Sequence, residues 1–471
     1  MKLATILLQA AMPGLLSAAP INIGSRLELF ADDHLIGKRS SAVTRHVHQP
    51  EAKDVVFSAD APWEGNTSGY YTVFRDGDRI RMIYRGWAHE HSKRIRARHP
   101  EVTCLAESRD GLYFTKPDLG LFEWNGSKQN NIILKGAATH NFAAFKDNNP
   151  KAPPEARYKG IGGEKRAGGL FVFQSPDGIH WNKISEQPVI TDGAFDSQNI
   201  AFWDAEAGIY RAYYRIFSGG GTDGGQWKPK GFRAIRTAVS DDFVNWKPGV
   251  DVTYPKETPE QHLYTNAIQP YERAPHLLIG FPTRYLPDDG QRVEPIFMVS
   301  RNGIHFRRYD EPVIPESAPV DRAGNRSNYM TWGMVRLPNE PGKISVYATE
   351  AYYGLEPGRV RRFVYRTDGF VSLRTKSAVG EIVTKPLKWR GQKLVLNAIA
   401  HQGGSIRAEL LGENGQPLPG FALSDAIPFS GDSIAVTIQW RNRKNLASVQ
   451  DQTLGVRIVM KNADLFAMQF R

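Results

Sequence analysis

Ser108-Arg109-Asp110-Gly111, with Phe114 shortly after it, is the first copy of a motif that recurs along the 471-residue chain. The later copies are Ser175-Pro176-Asp177-Gly178, Ser240-Asp241-Asp242-Phe243, Ser300-Arg301-Asn302-Gly303 and the weaker Arg366-Thr367-Asp368-Gly369. Successive copies begin 67, 65, 60 and 66 residues apart. A nearly constant period of this length indicates one supersecondary unit that is used repeatedly.

The copies have the composition of a β-hairpin turn, with Asp-Gly or Asn-Gly between two strand-like runs in all but the third, which has Asp242-Phe243. The third period shows the full plan, with strand-like runs at 199–203, 209–215 and 233–240 and a fourth run around Trp246. No segment has a sustained helical period. The sequence therefore predicts an all-β fold, a five-bladed β-propeller with four strands in each blade, whose last strand follows Gly369.

The two ends of the chain differ in composition from this repeat. Residues 1–19 combine a basic start, an apolar run and small residues at 17–19, which is typical of a signal peptide, and we expect a secreted or periplasmic protein. Residues 20–380 are then the propeller. Residues 381–471 alternate strand-like runs with Gly and Asn/Asp turns, which predicts a C-terminal antiparallel β-sandwich.

Composition limits the partners and cofactors. The formal net charge is +11 and the pI is about 9.5, which favours an anionic partner. Nucleic acid is not expected, because the basic residues are dispersed and no binding motif is present. The single cysteine, Cys104, cannot form a disulfide within the chain. The histidines lack metal-ligand spacing and no phosphate-binding glycine loop is present, so we expect no metal, no cofactor and no membrane span.

Several segments besides the repeated motif resemble a known group of enzymes. They are the inter-blade linkers 130–134, 187–190 and 311–314 and the terminal segments 396–397 and 464–466. In these the chain resembles secreted five-bladed-propeller glycosidases with a C-terminal β-sandwich, the invertase and levanase family and its arabinanase and xylosidase relatives. The segment 29–36 is also similar to the opening of uncharacterised bacterial members. The resemblance implies hydrolysis of glycosidic bonds, although the invertase family's own catalytic signatures are absent from this chain.

Candidate catalytic residues follow from propeller geometry. The innermost strands begin, and the second strands end, on one face near the axis. Glycoside hydrolysis needs two carboxyl groups in that position. The acids expected there are Asp196, Glu350, Glu164, Glu64 and Glu260. Asp196 is the first choice as base or nucleophile. Glu350 is the first choice as general acid, because an unpaired acid at the end of an apolar strand would have a raised pKa.

Three arginines, Arg85, Arg215 and Arg284, each end a second strand. We expect them to bind the carboxylate or sulfate of an acidic sugar, unless each pairs with a local acid. The predicted sugar subsite also contains Asn141, Asn199, His262 and Trp332. Two alternatives stay open: a polysaccharide lyase with His262, Tyr264 or His140 as base, and a non-catalytic carbohydrate-binding propeller.

Overall fold

The computed structural model describes residues 19–90, 96–223, 226–315, 329–350, 352, 354, 357–441, 443, 445–450 and 452–471. The predicted signal peptide lies outside them except for Ala19. The chain forms two compact units: Gln49–Thr367, and the residues up to His48 together with Asp368–Arg471. The predicted ranges, 20–380 for the propeller and 381–471 for the sandwich, stay predictions. No helix among the described residues is long and apolar enough to cross a membrane.

The first three blades are antiparallel four-stranded sheets whose strands follow one another in chain order. The first contains Gly69–Asp76, Arg79–Gly86, Val102–Ser108 and Ile132–Lys135. The second contains Ala143–Lys146, Tyr158–Gly162, Phe171–Ser175 and Asn182–Lys183. The third contains Ile200–Asp204, Ile209–Phe217, Arg233–Ser240 and Val250–Asp251.

The fourth blade contains Gln269–Tyr271, Ala274–Gly280, Arg292–Ser300 and Phe306–Pro312. A further pair, His262–Thr265 and Thr283–Leu286, extends this sheet along Arg292–Ser300. Small hairpins lie outside the blades, at His89–Glu90 with Arg96–Ala97 and at Thr222–Asp223 with Gln226–Trp227. Short 3₁₀ helices occur at Ala137–Thr139, Pro154–Ala156 and Lys165–Ala167.

The fifth blade closes the ring with strands from both ends of the unit. Lys343–Glu350 pairs with Gly358–Arg366, and the outer strand is Glu51–Ala59. Met330 and Val335 bridge the inner side of Lys343–Glu350. The predicted outer strand after Gly369, Val371–Thr375, instead pairs with Thr44–Val47 and Gly455–Phe470 in the other unit. Closure of this kind uses the strand edge that a linear array of blades would leave open.

The repeated motif is a hydrogen-bonded turn. Ser108 Oγ accepts the N–H of Gly111 at 2.8 Å, and Asp110 Oδ1 accepts the N–H groups of Leu112 and Tyr113 at 2.8 and 3.1 Å. Gly111 has a φ of 73°, which a glycine adopts without strain. The same bonds recur at Ser175, Ser240 and Ser300. The motif therefore fixes the turn between the third and fourth strands of a blade and has a structural role.

The inner strands hydrogen-bond to one another across the axis. Gln198 Nε2 donates to the carbonyls of Tyr70 and Tyr71 at 3.0 and 3.1 Å. The indole of Trp332 donates to the Ile268 carbonyl at 2.9 Å, and its side chain is buried. Trp332, predicted to shape a sugar subsite, thus joins inner strands, and its buried ring leaves little surface for a sugar.

The second unit is an antiparallel sheet built around two long strands, Leu394–Leu411 and Gly455–Phe470, which pair along most of their length. The other strands of this sheet are Glu28–Leu29, Ile36–Arg39, Thr44–Val47, Val371–Thr375, Gly380–Thr384 and Gly431–Thr437. Ile21–Gly24 and Leu387–Trp389 form a separate parallel pair, and a 3₁₀ helix lies at Ala447–Val449. Leucine, isoleucine, valine and methionine side chains from these strands form its core. The division of this sheet into the two layers of a sandwich stays a prediction.

Candidate active site

The starts of three inner strands share an unusual backbone conformation. Tyr70, Asn141 and Ala267 have φ values of 53°, 50° and 44°, in the left-handed region that non-glycine residues seldom adopt. Such conformations persist where the surrounding structure enforces them, and they are concentrated at functional sites. The face on which these strands begin is therefore the place to look for a site.

Asp196 lies at the start of the third blade's inner strand, as predicted. Its loop is held by Asn199, whose side-chain amide donates to the carbonyls of Phe195 and Ser197 at 2.9 and 3.0 Å. Ser197 Oγ in turn donates to the Tyr264 carbonyl at 2.6 Å. Asn199 Oδ1 also accepts the backbone N–H of Arg215 at 3.2 Å, so Asn199, predicted to contact a sugar, ties the Asp196 loop to the second strand of the blade.

The Asp196 carboxylate is exposed and ionised. Its side chain is 68% exposed, with Oδ1 3.6 Å from His140 Nε2 and Oδ2 3.9 Å from Arg215 Nη2. The approach of His140 lowers the pKa of Asp196 to about 2, against the opposing effect of burial, and the charge of Arg215 lowers it further. A carboxylate in this state can attack, accept a proton or stabilise positive charge, but it cannot donate a proton near neutral pH.

His140 lies between two carboxylates. Its Nδ1 is 2.8 Å from Glu101 Oε2, and Glu101 Oε1 accepts the N–H of Asn141 at 3.2 Å. Burial alone would lower the pKa of His140, but its contacts with Asp196 and Glu101 raise it to about 9. Burial raises the pKa of Glu101, but the hydrogen bond from His140 and the charge of Arg85 outweigh it and lower that pKa. His140 is therefore an imidazolium at neutral pH.

Glu101 was not predicted from the sequence, and His140 was predicted only as the base of a lyase. Glu101 directly precedes Val102–Ser108, the third strand of the first blade. Third strands begin on the same face as inner strands. A polar residue directly before a third strand could therefore have been predicted as a site residue in the same way as Asp196. His140 precedes Asn141 at an inner-strand start.

Arg85 is buried beneath this cluster. Its Nη1 donates to Asn141 Oδ1 at 2.8 Å, and its Nη2 donates to the Tyr352 hydroxyl at 2.7 Å. The guanidinium carbon lies 4.6 Å from the ring centre of Tyr70 and 4.9 Å from that of Trp87. Asn141, predicted as a sugar ligand, is thus the amide that links Arg85 to the Asp196 loop, where it donates to the Ser197 carbonyl at 3.1 Å.

Arg215 brings a second cation to the site. Its side chain is 5% exposed, and its Nε donates to the Ala194 carbonyl at 2.8 Å. Its Nη1 is buried and has no hydrogen-bond partner among the residues that the structure describes. A buried N–H of a charged group without an acceptor costs free energy that an anionic ligand would recover.

Arg233 was not predicted, and it joins the site where Arg284 was expected. Its guanidinium carbon lies 4.8, 5.3 and 5.5 Å from the ring centres of Tyr285, Tyr264 and Phe217. Within the described part of the chain it forms no ion pair. Arg284 instead bonds Glu294 at 2.8 Å, so its charge is neutralised locally. The arginines around Asp196 and Tyr264 are therefore Arg85, Arg215 and Arg233.

Tyrosines surround these cations. The ring of Tyr329 lies 5.6 Å from Tyr264, 5.5 Å from Tyr352 and 6.2 Å from Tyr70, in edge-to-face geometry. Burial raises the pKa of Tyr70 well above its ordinary value, with contributions from its tyrosine neighbours and from Asp196. Tyr70, Tyr329 and Tyr352 are buried, whereas Tyr264 is half-buried.

His262, predicted as a sugar ligand, is half-buried at the edge of this group. Its Nδ1 accepts the backbone N–H of Arg233 at 3.0 Å, and its ring packs on Phe232. Burial and the charge of Arg233 lower its pKa. The neutral ring then carries its proton on Nε2, which makes it a hydrogen-bond donor.

Glu350 does not have the surroundings from which its role as general acid was inferred. Its carboxylate is fully buried, but Oε1 lies 2.5 Å from Arg361 Nε and Oε2 lies 3.6 Å from Arg359 Nη2. These two arginines correct the premise of an unpaired acid. The structure assigns Glu350 to an ion-pair network at the end of Lys343–Glu350.

Glu64 has a similar structural environment. It is buried, accepts a hydrogen bond from Tyr84, and lies 2.6 Å from Lys116 Nζ and 2.9 Å from the Ala61 N–H.

The two remaining predicted acids, Glu164 and Glu260, lie in different surroundings. Glu164 is half-buried before the 3₁₀ helix Lys165–Ala167, and Glu260 is exposed before His262–Thr265. Neither forms an ion pair among the residues described.

The described residues contain no group of three or more His, Cys, Asp or Glu side chains arranged to hold a metal ion. Cys104 is buried in the first blade, and burial raises the pKa of its thiol well above the ordinary value.

No protein-family model and no curated protein matches the sequence. Among solved structures, the chain is similar to a glycoside hydrolase, with a TM-score of 0.46, 14% identity, and coverage of 68% of this chain and 92% of that one. It is also similar to a thermostable family-43 glycoside hydrolase (TM-score 0.44, 14% identity, 67% and 95% covered). A third is β-1,2-mannobiose phosphorylase from Listeria innocua (TM-score 0.43, 10% identity, 72% and 96% covered). These neighbours are glycoside hydrolases and a carbohydrate-active phosphorylase.

Proposed function

We propose that this protein hydrolyses a glycosidic bond in an acidic oligo- or polysaccharide, one that carries uronate or sulfate groups. The observation that carries the proposal is the setting of Asp196, an exposed ionised carboxylate beside the His140 imidazolium and Arg215. The half-buried ring of Tyr264 adjoins Arg215 and offers an apolar face for a sugar ring. Asp196 acts as the nucleophile or as the base that activates water.

The anionic character of the substrate rests on charge. Arg85, Arg215, Arg233 and protonated His140 outnumber the carboxylates of Asp196 and Glu101 in this group. Arg215 Nη1 and Arg233 Nε are buried without hydrogen-bond partners among the described residues. A carboxylate or sulfate on the sugar would accept hydrogen bonds from such groups and offset their desolvation.

The second carboxyl group of the mechanism is proposed to be Glu164 or Glu260. Glu64 and Glu350 are each engaged in a buried ion pair, with Lys116 and with Arg361 respectively. Glu164 and Glu260 have no such cation beside them among the residues described. Replacing the acid by Gln should slow hydrolysis of substrates with poor leaving groups far more than that of activated aryl uronides.

A polysaccharide lyase is the second candidate, favoured by the position of Tyr264. Its ring centre lies 5.0 Å from the Arg215 guanidinium carbon and 5.3 Å from that of Arg233. A lyase needs a base to remove the proton next to the uronate carboxylate and cations to neutralise that carboxylate. Tyr264 and the two arginines have these properties. His140 is less suited as the base, because its pKa of about 9 keeps it protonated at neutral pH.

One experiment separates these functions. The purified protein and its Asp196→Asn variant are incubated with matched panels of neutral, uronate-containing and sulfated oligosaccharides. Hydrolysis gives new reducing ends without ultraviolet absorbance, whereas a lyase gives an absorbing unsaturated uronate. Turnover of acidic substrates that Asp196→Asn abolishes supports the proposal. Turnover of neutral substrates alone contradicts the acidic specificity, and binding without turnover by the wild type indicates a carbohydrate-binding protein.

A further inference from the structure

The connection between the second and third strands of the third blade is an extended hairpin. Pairing of Ile209–Phe217 with Arg233–Ser240 continues beyond the blade, since Ser218 N–H donates to the Phe232 carbonyl at 2.9 Å and Gly219 N–H to the Lys230 carbonyl at 3.0 Å. Thr222–Asp223 then pairs with Gln226–Trp227. This hairpin follows Phe217, two residues after Arg215, and returns to Arg233, the first residue of Arg233–Ser240, so it extends from the site itself.

Trp227 on this hairpin is a large aromatic side chain left half-exposed, at 50%. Its ring contacts Phe217 edge-to-face at 5.9 Å. The indole also packs against the backbone of Gly221. A Cβ atom placed on this glycine would lie only 2.8 Å from Trp227 Cζ3. The indole is therefore supported by the hairpin on one side and open to solvent on another.

Phe217 connects this indole to the site. Its ring centre lies 5.6 Å from the Arg215 guanidinium carbon and 5.5 Å from that of Arg233. The aromatic surface therefore runs from Tyr264 over the two arginines to Phe217 and ends at exposed Trp227. Lys228 and Lys230 follow Trp227 on the same hairpin, and both residues are exposed.

We propose that Trp227 is the platform of an additional sugar subsite, on which a second part of an acidic oligosaccharide stacks as it extends out of the pocket. The inference rests on the proposed function and adds to it a preference for chains over single sugars. A sugar ring presents an apolar face that stacks on indole, and Lys228 and Lys230 would attract its carboxylate or sulfate groups. Neither the predicted sugar ligands nor the catalytic candidates include this hairpin.

The test uses full-length protein and uronate oligomers of defined length, the dimers and hexamers of galacturonate, glucuronate and mannuronate. Calorimetry in an Asp196→Asn background, in which turnover is removed, measures affinity. Trp227→Ala should weaken binding of the preferred hexamer about three- to tenfold and leave the dimer unchanged. Trp227→Phe should retain most of the affinity, and Lys228→Gln with Lys230→Gln should reduce the salt dependence of hexamer binding.

Tyr113 provides the matched control. It is 75% exposed and follows the Ser108–Gly111 turn, which comes after the third strand of the first blade. The Trp227 hairpin instead joins the second and third strands of the third blade, so the two features lie at opposite ends of the blade strands. Tyr113→Ala should leave hexamer binding unchanged. Equal affinity of the wild type for dimer and hexamer, or a Trp227→Ala variant that keeps the length dependence, would overturn the inference. Hydrolysis of an aryl uronide with a single sugar tests the proposed function separately, because it does not reach Trp227.

Discussion

Nε2 of His140 lies 3.6 Å from Oδ1 of Asp196, which places an imidazolium against the most exposed carboxylate of the site. The contact is longer than a standard hydrogen bond, and the shorter one, at 2.8 Å, joins the other ring nitrogen to Glu101. Glu101 thus fixes the orientation and protonation of His140, and His140 keeps Asp196 ionised. Glu101 and His140 are positioning residues, because they act through Asp196.

The first prediction concerns Asp196 itself. Asp196→Asn keeps size and hydrogen-bonding capacity but removes the charge, so kcat should fall by at least about 100-fold. The melting temperature should stay the same, since the side chain is largely exposed. Asp192→Asn is the control, because Asp192 is an exposed acid on the same loop that pairs with Arg236. Retention of more than about a tenth of the activity by Asp196→Asn would exclude it as the catalytic carboxylate.

The second prediction concerns pH. The pKa of His140 is raised from 6.5 to about 9, so the stabilisation from its charge is complete below 6.5 and is lost as the pH rises through 9. The activity should therefore have an alkaline limb near pH 9. Glu101→Gln removes one of the two carboxylates that hold the proton, so this limb should move towards neutral pH.

The measurement for this second prediction is kcat/KM as a function of pH for the wild type, Glu101→Gln and His140→Gln. His140→Gln should abolish the limb, since no imidazole titrates there. A Glu101→Gln profile that coincides with the wild-type profile would show that Glu101 supports the fold without controlling His140. Urea unfolding of each variant at neutral pH separates the two effects.

The third prediction distinguishes the arginines. Arg233→Gln should raise KM for an acidic substrate about tenfold or more, since a hydrogen bond to a charged group contributes about 1.5–3 kcal/mol. Arg284→Gln should leave KM nearly unchanged and lower stability, because it leaves buried Glu294 without its closest partner. Steady-state kinetics on acidic and neutral analogues, with urea unfolding, measure both. The reverse pattern would return Arg284 to the site and remove Arg233 from it.

The fourth prediction concerns Glu350. Glu350→Gln leaves the guanidinium groups of Arg361 and Arg359 without their carboxylate, and breaking a buried ion pair of this kind costs about 3 kcal/mol. The free energy of unfolding should fall by that amount, while kcat of the folded fraction stays within about twofold of the wild type. A large loss of kcat with unchanged stability would make Glu350 a catalytic acid after all.

The fold could be predicted because its turns are determined locally. Ser108, Asp110 and Gly111 form the hydrogen bonds of the turn within six residues of chain, and the same serine bond recurs in the copies at Ser175, Ser240 and Ser300. The position of Asp196 was predictable for a related reason: once the blades are counted, the start of an inner strand is known. Both inferences need the order of the strands but not their pairing register.

The ion pairs could not be predicted in this way. Glu350 faces Arg359 across two adjacent strands, and Arg284 faces Glu294, and both pairings depend on register. Arg233 and Glu101 were missed because only inner-strand starts and second-strand ends were considered, although third strands begin on the same face. The strand after Gly369 was assigned to the fifth blade because the motif precedes it, but Glu51–Ala59 occupies that place.

The strand Glu51–Ala59 has a consequence for how the protein is made. It leaves the ribosome before any blade, yet it pairs with Gly358–Arg366, and 308 residues separate Lys53 from its bonded partner Arg361. The nascent chain must therefore carry this strand unpaired until nearly all of the propeller has been synthesised. Long-range closure of this kind slows folding and exposes a strand edge to aggregation in the meantime. We therefore expect the propeller to close most efficiently when a chaperone protects Glu51–Ala59 during translation.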